Sequence, residues 1–343
     1  MITVFSERHL LRNVRTELSG GELIAPHECP ERARIVLERV REVGLGPVLA
    51  PQAFGLSPLL RVHDAAYLEF LGAAWNDWVA DGNRGEAIPD CWPARRLNQR
   101  PPACITGKMG FYAFAAETSI GEGSWEAARA AADVALSGAE AISAGAAAAF
   151  ALCRPPGHHA ARDLFGGYCF LNNAAIAAQH LRDRGAARVA VLDVDFHHGN
   201  GTQDIFYDRS DVLYASLHGD PADAFPYFSG YTEETGRGAG EGFTLNLPLP
   251  RATGFEAWSA ALEEALARIR AFGADALVVS LGVDTFVADP ISFFRLESAD
   301  FTAYGRMIGR CRIPTLFVLE GGYAVAEIGV NAVNVLAGFE DVH

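Results

Sequence analysis

The chain has 343 residues, half of them hydrophobic and a fifth charged, which is enough apolar material for a sizeable buried core. A formal charge of −14 argues against a nucleic-acid partner, because phosphate backbones are met by clustered Lys and Arg. Nothing approaches the roughly 20 consecutive apolar residues of a membrane span. The first five residues run straight into the polar stretch 6–13 instead of a signal-peptide core, so a cytoplasmic location is expected. The six cysteines (Cys29, Cys91, Cys104, Cys153, Cys169 and Cys311) form no CxxC pair, which fits a reducing compartment. Cys153 and Cys169 lie in apolar surroundings and read as small buried thiols.

Taken in chain order, the first distinctive segment is 75–123. It carries Trp75, Trp78 and Trp92, several prolines and the pair Arg95-Arg96, and it reads as a long inserted loop within a single domain spanning 1–343. An Ala-rich helix is expected over 126–148, with Gly138 and Gly145 as its only interruptions. Short apolar runs then recur at 149–153, 189–194, 212–217, 276–283 and 315–319, rich in Val, Leu and Ala on both faces, as buried parallel strands are. Between them, 172–184 and 255–272 have the spacing of amphipathic helices. This alternation predicts an α/β fold, an open and mostly parallel sheet with helices on both faces.

Reactive side chains gather just after these strands. Asp193-Val194-Asp195-Phe196-His197-His198-Gly199-Asn200-Gly201 places Asp193, Asp195 and His197 in alternation, so an extended chain points all three one way. Such a polar face is costly to bury without a partner; a bound cation supplies one, and a buried salt-bridge cluster is the plainer reading. Carboxylate with imidazole suits zinc, iron(II) or cobalt(II). Three other strands end alike: 149–153 in Arg154-Pro155-Pro156-Gly157-His158-His159, 276–283 in Asp284, and 315–319 in Glu320-Gly321-Gly322-Tyr323. Ligands of open α/β sheets bind beyond the carboxyl ends of strands, so these groups are expected in one crevice.

These motifs, with Val62-His63-Asp64…Tyr67, Gly166-Gly167-Tyr168-Cys169-Phe170-Leu171-Asn172-Asn173 and Ser280-Leu281-Gly282-Val283-Asp284, resemble those of the histone deacetylases and their bacterial relatives. The segment 75–123, with Ala115-Ala116-Glu117-Thr118, resembles the acetylpolyamine amidohydrolase branch. The resemblance implies an arginase/deacetylase-like fold and a zinc-dependent amidohydrolase. Asp195, His197 and Asp284 would bind the metal and leave open positions for water and a carbonyl oxygen. His159 would be the general base and acid, with His158 as its electrostatic neighbour, and Tyr323 would steady the oxyanion. Asp193 and Asn200 would support the two histidines; where some relatives have Asp, Asn200 should leave His159 less basic. Tyr168 and Phe225 would wall a narrow tunnel, with the Gly167 carbonyl accepting the scissile N–H. A structural potassium ion is implied near Asp193, Asp195, His197, Ser216 and Leu217, and near Phe206.

The resemblance further implies a homodimer through 75–123, an entrance too narrow for folded proteins, and a small cationic acetylated amine as substrate. Glu117 would then face the distal ammonium. Thr106 stands just before Gly107 where an acidic residue is expected, which favours acetylputrescine or acetylcadaverine over longer polyamines. The alternatives are a deacetylase of protein acetyl-lysine, an arginase-like enzyme with two manganese ions, and a non-catalytic acetyl- or metal-binding protein.

Overall fold

The computed structural model describes residues 1–343. Its strands are β1 (Ile2–Val4), β2 (Glu17–Ser19), β3 (Glu22–Ile24), β4 (Val48–Leu49), β5 (Ala148–Ala151), β6 (Val189–Asp193), β7 (Val212–Gly219), β8 (Thr244–Leu249), β9 (Ala276–Leu281) and β10 (Thr315–Leu319). β2 and β3 form a separate antiparallel hairpin. The other eight make one sheet in the order β4-β1-β5-β10-β9-β6-β7-β8, and every pairing in it is parallel.

Both faces of this sheet are covered, as its doubly apolar strands require. Val189 and Val191 of β6 join a cluster with the helices Ala65–Ala80, Ser124–Ser143 and Asn173–Asp183. Their alternates Ala190 and Leu192 pack on the other side, against Pro30–Glu42, Phe255–Phe272, Ser298–Gly309 and Ile328–Glu340. The period of two within each strand is what divides one apolar run between two layers.

Two expectations about chain boundaries change. The Ala-rich helix spans Ser124–Ser143 and stops well before 148, where Gly145 turns the chain at φ +96° into β5. Gly138 does not interrupt it. A Cβ there would lie 2.6 Å from Leu316 Cδ1, so the glycine lets the helix lie close on β10. The segment 75–123 begins inside the helix Ala65–Ala80 and includes a short helix, Ile105–Phe111. Its only β contacts are isolated bridges, Ala87 to Ile120 and Ala113 to Phe165.

From β6 the chain steps outward to β7 and β8, then returns to the other side of β6 as β9 and continues to β10. This reversal opens a crevice beyond the carboxyl ends of β6 and β9, the place where such sheets bind ligands.

Candidate active site

At the floor of that crevice lie Asp195 and His197, carried by the turn after β6, and Asp284, three residues past β9. All three are buried, and one ligand atom from each falls within 4.8 Å of the others. His197 Nδ1 is 3.2 Å from Asp195 Oδ1 and 2.9 Å from Asp284 Oδ2. Backbone N–H groups hold the carboxylates in place: Phe196 N–H donates to Asp284 Oδ1 at 2.8 Å, and Gly321 N–H to Asp195 Oδ2 at 2.8 Å. Burial and the neighbouring charge of Asp195 push the Asp284 carboxyl up, the sign of two carboxylates short of positive charge.

This donor set fits a divalent ion of the zinc class, since two anionic oxygens and one imidazole nitrogen converge where no Lys or Arg competes. Glycine shapes the cradle. A Cβ on Gly321 would lie 2.5 Å from Oδ2 of both Asp195 and Asp284, and one on Gly282 would collide with Asp195. The motif glycines therefore leave room for the donor atoms themselves.

Both histidines of the tandem reach this floor. His158 Nδ1 is 3.0 Å from Asp193 Oδ2 and its Nε2 is 3.8 Å from Asp195 Oδ1. Burial lowers its pKa, but the two carboxylates outweigh burial and lift it to about 10. His159 behaves oppositely. Burial, together with the charge of His158 and His197, drives it well below its ordinary value. Its Nδ1–H donates to Asn200 Oδ1 at 2.7 Å, and the Asn200 amide NH₂ in turn reaches the His159 carbonyl at 3.4 Å. That exchange orients the amide and leaves Nε2 of His159 as the acceptor.

Tyr323 is buried against the Tyr168 ring, centroids 5.5 Å apart. Its backbone N–H and that of Ala324 both donate to Asp289 Oδ2, at 2.7 and 3.2 Å. Phe225 faces His159 edge-on at 5.1 Å and stacks on Phe114 at 5.7 Å. Tyr168 adopts φ +66°, held by Thr118 Oγ1 accepting its N–H and Glu17 Oε1 accepting its hydroxyl, both at 2.7 Å. These groups surround one cavity of ≈ 370 Å³ whose lining includes His159, Gly167, Tyr168, His197, Phe225 and Tyr323. Glu117 lines it as well, with Oε1 accepting the Gly167 N–H at 2.6 Å.

The residues expected at the metal, the base, the phenol and the walls are thus in one place. Asp193 and Asn200 lie behind the histidines. Asp193 is paired in register with Ser216 of β7, and Ser216 Oγ is 2.8 Å from His218 Nδ1. Thr106 is not among the residues that line the cavity, and Phe206 is packed in the core.

Several contributors had no legible signal in the sequence. Glu17 and Leu18 come from the hairpin, Asp223 and Tyr227 from the loop after β7, and Ile291 and Phe293 from the loop after β9. Asp289 and the buried carboxylate of Glu28 also escaped. Glu28 pairs with Arg154 at 2.7 Å, Arg32 at 3.2 Å and Arg12 at 3.7 Å, and Arg32 lies over the Tyr323 ring at 4.8 Å. Only Arg154 belongs to a strand-end motif, and even its ion pair depends on contacts distant in sequence.

Residues 26–339 match the histone deacetylase domain, and the chain belongs to the histone deacetylase family. Within it, the similarity runs to bacterial acetylpolyamine amidohydrolases. The chain is 58% identical over 338 residues to the acetylpolyamine amidohydrolase of Mycoplana ramosa, covering 98% of this chain and 99% of that protein. It is 56% identical over 343 residues to acetylpolyamine amidohydrolase 2 of Pseudomonas aeruginosa, covering 100% of each. The crystal structure of acetylpolyamine aminohydrolase from Burkholderia pseudomallei matches with a TM-score of 0.95 at 42% identity, covering 100% of this chain and 99% of that one.

Proposed function

We propose that this protein hydrolyses the acetyl-amide bond of small N-acetylated diamines and polyamines, releasing acetate and the free amine. The observation that carries the reading is convergence: His159, His197 and Tyr323 line one cavity, and Asp195 and Asp284 lie against His197 at its floor. Three carboxylates (Glu17, Glu117 and Asp223) line that cavity and no Lys or Arg does, which favours a cationic ligand.

A zinc-class cation held by Asp195, His197 and Asp284 would polarise the acetyl carbonyl and acidify a water; iron(II) and cobalt(II) suit the same donors. The chain's own groups do the rest. His159, neutral and with Nε2 free, takes a proton from the attacking water and returns it to the departing amine as the C–N bond breaks. Protonated His158 keeps positive charge beside the reaction without moving a proton. The Tyr323 hydroxyl donates to the carbonyl oxygen as it gains negative charge. The Gly167 carbonyl accepts the scissile N–H, Phe225 and Tyr168 flank an unbranched chain, and the free oxygen of Glu117 meets a distal ammonium.

Three further assignments belong to this reading. A structural potassium ion would be held near Asp193, Asp195, His197, Ser216 and Leu217. Residues 75–123, which expose Leu97, form a homodimer contact that narrows the mouth. The chain works as one catalytic unit in the cytoplasm; none of its helices is long and apolar enough to cross a membrane, and its six cysteines are unpaired.

The deciding experiment assays metal-loaded protein on acetylputrescine, acetylcadaverine and an acetyl-lysyl peptide. The expected result is a kcat/KM for the diamines at least about tenfold above that for the peptide. A preference for the peptide would overturn the substrate and leave a protein deacetylase; no turnover of either would overturn the enzyme.

A further inference from the structure

The three acids of the cavity are not equivalent. Glu17 is buried and both its oxygens are taken, Oε1 by the Tyr168 hydroxyl and Oε2 by the His27 N–H at 3.0 Å. Glu117 is partly buried; its Oε1 accepts from both the Gly167 N–H and the Thr118 hydroxyl, so half of it is committed to holding the tunnel wall. Asp223 differs from both. It is exposed, its backbone N–H is tied to the Asp220 carbonyl at 2.9 Å, and its carboxylate has neither a hydrogen bond nor an ion pair with the protein. It stands two residues before Phe225, whose ring lies 5.1 Å from His159 and 6.2 Å from His197. Asp223 therefore occupies the outer rim of the wall whose inner part touches the reaction centre.

Resting on the amine-hydrolase reading above, we infer that Asp223 is a specificity-determining residue: an outer cation subsite that reads an ammonium group beyond the one met by Glu117. An acetylated diamine carries a single distal charge, which the inner acid satisfies. An acetylated triamine carries a second, farther out, and Asp223 is the lining carboxylate with no competing partner there. Thr106 does not line this cavity, whereas Asp223 of the loop after β7 does. Because the carboxylate is exposed, its contribution is modest and screened by salt.

The test compares kcat and KM of wild type, Asp223→Asn and Asp223→Glu on three substrates: N-acetylspermidine, acetylputrescine and an uncharged N-acetylalkylamine. The expected result for Asp223→Asn is a rise of roughly three- to tenfold in KM for N-acetylspermidine at low salt, with kcat unchanged. That rise should shrink as salt increases, and Asp223→Glu should restore most of the wild-type value. Acetylputrescine and the uncharged amide should respond little. An equal effect on all three substrates, or no effect on the triamine while wild type turns it over, overturns the subsite and leaves the amidohydrolase intact. Failure of wild type to hydrolyse any of the three overturns the function on which the subsite rests.

Discussion

The floor of the cavity and its mouth are built on different principles. On the floor, each residue of the trio follows a buried parallel strand, and its two carboxylates are clamped by backbone N–H groups and have glycine rather than side chain behind them. At the mouth, the lining comes from a two-stranded hairpin, the loop after β7 and the loop after β9, and includes exposed groups such as Tyr227 and Asp223. The lesson is a division of labour. Rigid strand ends set the chemistry, where a small displacement is expensive, while loops tune what may enter.

The contrast is sharpest if the metal is removed. Chelation should abolish turnover of every acetylated amine at once, and zinc should restore it, as assay before and after back-titration would show. Loss of one substrate but not others would place the chemistry in the mouth and break the comparison. Tyr323→Phe comes next. It should cost on the order of 10²–10³ in kcat while bound zinc, measured by elemental analysis, stays stoichiometric. Gly321→Ala tests the cradle, since its methyl would press on both Asp195 and Asp284. Metal affinity is expected to weaken roughly 10- to 100-fold in a competition titration with a chromogenic chelator.

The mildest change is Asn200→Asp, which replaces the neutral acceptor at His159 Nδ1 by an anion. An opposite charge favours the imidazolium, so the His159 pKa rises. With His159 as the proposed base, activity requires the neutral ring and is lost as pH falls through that pKa. The acid limb of the kcat/KM profile should therefore move to higher pH, by about one unit. A limb that stays put would mean that His159 is not the base.

Legibility followed the same division. The strands of β6, β7, β9 and β10 could be read to within two residues, because a strand covered on both faces must be apolar throughout. The polar residues after β6 were legible for the converse reason: Asp193, Asp195 and His197 are out of place in an apolar context unless something offsets their burial. Less local features were harder. Gly138 reads as a break in the sequence, since nothing in the helix itself announces that β10 lies against it. Glu17 looks like any surface glutamate until Tyr168, 151 positions away, donates its hydroxyl to it.

What the sequence determined by itself was the layered parallel sheet and the chemical character of its strand ends, since periodicity and uncompensated polarity are properties of short segments. Only the tertiary structure decided which ends share a crevice, which carboxylates are already engaged and which one is left free for a ligand. Those outcomes depend on contacts between segments from tens to more than a hundred residues apart, and a chain read locally carries no record of such distances.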